Sequence, residues 1–141
     1  MRKRQRLAVY IIMGALWLSG CLWLCLDQFF AQRGEFGVTP HPMEPRILLI
    51  HGVIAILAMY VFGWITAHHI LRWWPARLRR ISGGTLGAFL GVLTVSGFAL
   101  FFVSVDEWQH VAARIHDVLG LCVTVFAIQH WFFVRRRDKV R

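Results

Sequence analysis

Along its length the chain alternates between long stretches almost without charge and short stretches crowded with it. Four apolar stretches stand out, at about residues 7–30, 47–71, 83–105 and 111–134. Each reaches or exceeds the roughly 20 residues that an α-helix needs to cross ~30 Å of hydrocarbon at 1.5 Å per residue. Transmembrane β-strands would be about half as long and would alternate in polarity, which these stretches do not. The expectation is an all-α fold, an integral membrane four-helix bundle forming one domain over residues 1–141. The segment "GEFGVTPHPMEP", 34–45, holds three prolines and two glycines. That composition predicts a fixed irregular loop, placed to lie across the outer end of the bundle like a lid. No repeat of 20–50 residues and no low-complexity stretch is visible.

Composition agrees: of 141 residues, 57% are hydrophobic and 16% charged, an apolar share above the range of soluble domains. The net charge of +9 raises the question of nucleic acid, and its distribution answers it. Thirteen basic residues fall at Arg2, Lys3, Arg4 and Arg6, at Arg72, Arg77, Arg79 and Arg80, and at Arg135, Arg136, Arg137, Lys139 and Arg141. Only Arg33, Arg46 and Arg114 lie on or beside the other two loops. Thirteen against three is a positive-inside pattern. It predicts that both termini and the 72–82 loop are cytoplasmic and that the 31–46 and 105–112 loops face outward. Anionic membrane lipid is then the expected partner of the basic segments, and no nucleic acid is called for.

Two features near the N-terminus change little. "LWLSGC", 16–21, resembles a lipoprotein cleavage box, but the apolar run continues through "LWLCLDQFF", so an uncleaved first helix is the adopted reading. Cys21, Cys25 and Cys122 sit in apolar stretches, where cysteine behaves as a small hydrophobe. A C-x-x-C-H motif for covalent haem attachment is absent from the sequence.

The histidines carry the candidate chemistry. Ionisable side chains inside a bilayer are costly and mark functional sites by default. At ~100° per residue, His51 and His69 are 18 positions apart, about five whole turns, and share a face. His116 and His130, 14 apart, fall about 40° from alignment on the fourth helix. Both helices run inward in the expected topology, which pairs His51 with His116 toward the outer side and His69 with His130 toward the inner. The axial separations, about 27 Å and about 21 Å, differ by an amount that tilt can absorb. Zinc or copper recruits three or four ligands, whereas each level offers two. Haem iron needs only two axial ligands, and helical bundles build cofactor sites from facing helices. Two haem b groups per chain, ligated by His51, His69, His116 and His130, are the most economical reading. The alternative is that the same histidines reach the interfaces as amphipathic side chains.

The remaining polar residues group around that scheme. His68 is about 100° off the His51 face and is the substitute for His69 if the register slips. Arg46, Arg72, Arg114 and Arg135 flank the histidines and are candidate partners for anionic haem propionates. Asp27 and Asp117 are read first as wet interfacial carboxylates, the alternative being proton carriers at an outer quinone site. His41 and His110 are placed at the outer surface. Gly83, Gly87 and Gly91, four apart, form a small-residue stripe that suits close helix packing or room for a porphyrin plane.

Several pieces together resemble the four-helix di-haem b-type cytochromes of bacterial membranes, the group that includes the cytochrome b subunits of hydrogenases and formate dehydrogenases. They are "LWLSG" in the first helix, "GEFGVTPHPMEP" in the loop and "IHGVIA…H" in the second helix. "RRISG" and "LTVSGFALFF" in the third helix follow, then "RIHDVLGL…QH" in the fourth. The resemblance spans nearly the whole chain through the order and spacing of these pieces. It implies a multi-pass protein of the bacterial inner (cytoplasmic) membrane. It further implies electron transfer between a quinone pool and a redox protein or larger respiratory complex, with the four histidines as axial ligands. Whether the chain acts only as an electron carrier or as the cytochrome part of a quinone-linked oxidoreductase is left open by that likeness. A haem-free scaffold or assembly subunit of a respiratory complex is the competing expectation.

Overall fold

The computed structural model describes residues 3–34, 37–71, 80–102 and 106–138. In chain order these form helix α1 (Lys3–Phe29), strands β1 (Gln32–Gly34) and β2 (Gly37–Thr39), and helix α2 (Glu44–Ile65). A π-helical turn (Thr66–Ile70) continues α2, and helices α3 (Arg80–Phe102) and α4 (Asp106–Asp138) follow. Four helices are long and apolar enough to cross a membrane. The fold is helical as expected, apart from the short two-stranded ribbon.

The chain divides into two compact units, Met1–His69 and Ile70–Arg141. In the first, α1 packs on α2; in the second, α3 packs on α4. Each unit is thus a helical hairpin. We call the end where its two helices are linked the turn end, and the other the open end.

The segment expected to be an irregular loop is partly regular. β1 and β2 pair antiparallel with Gln32 opposite Thr39 and Gly34 opposite Gly37. Gly37 takes φ 112°, a conformation that favours glycine, and the Thr39 hydroxyl donates to the Gln32 carbonyl at 3.2 Å. The prolines act only after the ribbon, where Pro40 and Pro42 lead into α2. There the Glu44 carboxylate accepts from the His41 backbone N–H at 2.7 Å, and the Glu44 N–H returns to the His41 carbonyl at 2.9 Å. This reciprocal bonding, like a capping box with histidine in the first position, and Pro45 in the first turn start α2 at Glu44, three positions before the apolar run begins. Glu44 is buried by it, 6% exposed.

α4 also outruns its apolar stretch at both ends. It starts with Asp106 and Glu107 and ends in "VRRRD", an order that complements the helix dipole. Within the spans, hydroxyls are satisfied locally. Thr66, Thr85 and Thr94 each donate to the carbonyl one turn back, at 2.8, 2.8 and 2.9 Å, the usual way for a hydroxyl to sit in an apolar helix.

Burial in these units is inverted relative to a soluble protein. Among the described residues, Ala58 is the only buried apolar side chain, while Ser19, Glu44 and Ser96 are buried polar ones. Large apolar side chains such as Tyr60, Phe101 and Ile81 are exposed. Among the described residues the exposed surface is thus largely apolar and the few buried groups are mostly polar.

Candidate functional site

In both hairpins the seam near the turn end is built in the same way. On α1, Ser19 and Gly20 face His51 of α2; on α3, Ser96 and Gly97 face His116 of α4. The Ser19 hydroxyl lies 3.0 Å from His51 Nδ1, and the Ser96 hydroxyl lies 2.9 Å from His116 Nδ1. Each hydroxyl also donates to the carbonyl three residues back, Ser19 to Leu16 at 2.9 Å and Ser96 to Leu93 at 3.2 Å.

The glycines supply the space. A Cβ on Gly20 would lie 3.1 Å from His51 Cε1 and 3.4 Å from its Nδ1. A Cβ on Gly97 would lie 3.1 Å and 3.5 Å from the same atoms of His116. Both imidazoles therefore rest edge-on against the backbone of the opposite helix, with serine gripping one ring nitrogen. Both rings are half-buried.

The open ends differ. In the second hairpin His130 Cε1 would meet a Cβ on Gly83 at 3.7 Å, an ordinary contact distance. Gly83 to Gly97 is 14 residues, as is His116 to His130. Both histidines of α4 thus face α3, at levels about 21 Å apart. In the first hairpin the matching region holds the π-helical turn. His68 is exposed and stacks on Trp64 with ring centroids 5.2 Å apart, and its Nδ1 lies 3.1 Å from the Trp64 carbonyl. His69 falls inside that turn, and its side chain lies outside the described residues. A π-turn holds more residues than an α-turn, so the count of five whole turns from His51 to His69 no longer applies.

Of the expected charged partners, Arg46 and Arg114 are described with their side chains. Arg46 is exposed and donates to the Met43 thioether at 3.9 Å. Arg114 is exposed and lines a shallow depression with Ile115, Val118 and Leu119. Arg72 lies outside the described residues, and Arg135 is in α4 with its side chain outside them. Asp27 accepts from the neighbouring Gln28 amide at 2.6 Å, and Asp117 is half-buried on α4. His110 is exposed, and the half-buried His41 accepts from the Met43 N–H at 3.2 Å and meets Phe30 edge-on. Cys21, Cys25 and Cys122 are free thiols. In the small-residue stripe, Gly83 faces His130 as above, while a Cβ on Gly91 would meet nothing within 4 Å among the described residues.

Sequence reasoning singled out the histidines but assigned Ser19, Gly20, Ser96, Gly97 and Glu44 no role. The available signal was the same Ser–Gly pair in α1 and α3, "LSG" and "VSG", each followed by a helix carrying a histidine near its start. For Glu44 it was the His-x-x-Glu spacing just before an apolar run.

Chemically, a ring whose Nδ1–H is given to an oxygen offers its Nε2 lone pair, the form in which neutral imidazole binds a metal. Among the described residues no group of three or more His, Cys, Asp or Glu side chains converges. No family model, curated protein or solved structure matches the chain.

Proposed function

We propose that the chain is a di-haem b-type cytochrome of the bacterial inner membrane that moves electrons between a quinone pool and a redox partner. Four helices long and apolar enough to span a bilayer, with thirteen of sixteen basic residues on one side, support a multi-pass topology with both termini cytoplasmic. His51 and His116 are the outer pair of ligands and His130 with His69 the inner pair, His68 being engaged by Trp64.

The observation that carries this reading is the repeated Ser–His bond. Two histidines in apolar helices are held by the same partners, at 3.0 and 2.9 Å, with the same glycine beneath the ring. The donor set and the two cradles, which a Cβ would fill, fit histidines that would hold a haem iron. Bound there, haem would supply one-electron transfer. The chain's own part is to keep each ring in one orientation against the opposite helix. Arg46 and Arg114 remain the outer residues whose charge suits propionates, and Arg72 and Arg135 the inner ones.

A haem-free scaffold accounts for the same hydrogen bonds as the satisfaction of polar groups inside hydrocarbon. The reduced-minus-oxidised visible spectrum of the purified protein, with haem quantified per chain, separates the two. Two b-type haems per chain is the expected result, and a colourless protein from haem-replete cells rejects it.

A further inference from the structure

We infer that the depression beside Arg114 on α4 binds one anionic phospholipid of the outer leaflet, with the guanidinium on its phosphate and an acyl chain along Ile115, Val118 and Leu119. The inference rests on the proposed topology and is independent of haem.

Depth sets Arg114 apart from the other basic residues of the spans. The apolar span of α4 runs from Glu107 to Phe132, which puts Arg114 seven positions inside it, about 10 Å from its start. Lys3, Arg4, Arg6 and Arg46 all lie within the first four positions of their spans. A charge that far into a bilayer must reach the interface or draw a counter-charge to itself. The Cα–Cβ bond of a helical residue tilts toward the helix N-terminus, which is outward for α4 on the proposed topology. The exposed Arg114 side chain is therefore aimed at headgroup level.

Inward of the guanidinium the surface is apolar. Ile115, Val118 and Leu119 join Arg114 around a depression of about 340 Å³, and Ile115 and Val118 are 47% and 58% exposed. From Arg114 to Leu119 the lining descends about 7.5 Å. Outward stands Trp108, 67% exposed, where tryptophan anchors a helix in the interface. From outside inward this face presents an interfacial aromatic, a cation and then hydrocarbon, the order in which a phospholipid presents headgroup and tail. Asp117, the nearest carboxylate in sequence, does not line the depression. An apolar helix laid there would cover the three aliphatic residues and leave the guanidinium without an anion. A phospholipid serves both, because a guanidinium pairs its N–H donors with phosphate oxygens. Arg114 and Val118 each stand two positions from His116, about 160° round α4. The lipid would thus lie away from the seat that Ser96 and Gly97 make for His116.

The test places the full-length chain in phosphatidylcholine bilayers containing a photo-crosslinkable phosphatidylglycerol, with crosslinks mapped by mass spectrometry. Photo-crosslinkable phosphatidylcholine is the zwitterionic control. Phosphatidylglycerol should crosslink at residues 114–119 in preference to the control. Arg114→Gln should lower that crosslink about fivefold, matching the ~1 kcal/mol that one arginine contributes to anionic-lipid attraction. Arg114→Lys should keep most of it, and Val118→Trp, which fills the depression and leaves the charge, should lower it again. Equal crosslinking by the two lipids, or by wild type and Arg114→Gln, overturns the inference. So does the absence of lipid crosslinks at 114–119, the result expected if the first hairpin covers the depression. Haem per chain is measured on the same variants. Haem lost from Arg114→Gln with its lipid crosslink unchanged gives Arg114 to a propionate and overturns the inference; the expected crosslinks in a chain that binds no haem uphold it and remove the haem reading. Topology is read by labelling Gln109→Cys in intact cells with a membrane-impermeant maleimide. Labelling supports the outer leaflet, and its absence rejects that assignment.

Discussion

The two hairpins agree at their turn ends and differ at their open ends. At the turn ends, Ser19–Gly20 with His51 and Ser96–Gly97 with His116 repeat almost unchanged in the Ser–His distance, 3.0 against 2.9 Å. At the open ends, α4 stays regular and sets His130 against Gly83. α2 instead widens into a π-turn, with His68 stacked on Trp64. The linkers differ as well, since a paired ribbon joins α1 to α2 and only residues 103–105 separate α3 from α4. What is held constant is a local arrangement of three residues, indifferent to how the chain returns. The π-turn makes the open end of α2 the place where the two hairpins differ most in their helix backbone.

The strongest way to break the comparison is to remove the seated rings. His51→Ala and His116→Ala should each abolish the same one of two haem signals in the reduced-minus-oxidised spectrum, and His130→Ala should abolish the other. If His51 and His116 variants lose different signals, the turn-end seats do not serve one group. Next in size is overfilling the seat. Gly97→Ala places a methyl 3.1 Å from His116 Cε1, and the displaced ring should cost about 1–3 kcal/mol in SDS-unfolding stability.

The same substitution at the open end should reverse sign. Gly83→Ala meets His130 at 3.7 Å, an ordinary contact, so the gain in helix propensity, up to about 1 kcal/mol, should leave the protein neutral or slightly more stable. Ser96→Ala removes one of the partners of the half-buried His116 ring, which also bonds the Leu93 backbone, and is expected to cost about 0.5–1.5 kcal/mol, with Ser96→Thr recovering most of it. The smallest effect belongs to His68→Ala, which should keep both haem signals while His69→Ala loses the inner one. The opposite outcome would assign the inner ligand to His68.

The helices were legible because lipid-spanning length and freedom from charge are properties of a single run of residues. Their ends were less so: α2 starts at Glu44 through bonds to His41, a pairing of polar residues that hydropathy does not weigh. That His116 and His130 share a face was also legible, since α4 keeps a regular helical period between them. The equivalent reasoning for His51 and His69 assumed ~100° per residue throughout, and the turn at Thr66–Ile70 violates that without a proline or glycine inside it to announce the change. The ribbon was hidden by the prolines that follow it. The Ser–Gly seats were not legible because each half looks ordinary by itself, and the partner that gives it meaning lies on another helix. A search for repeats at fixed spacing passes over them, since 32 and 20 positions share no period.

The Ser–His contact closes within each hairpin, and this bears on how such a chain can be made. On the proposed topology α1 and α2 cross the bilayer as a pair, as do α3 and α4. A histidine delivered alone to hydrocarbon would carry an unshared ring proton, but His51 and His116 each arrive beside the helix that accepts it. Biosynthesis can then proceed one hairpin at a time, with the polar cost of each histidine met before the second hairpin leaves the ribosome.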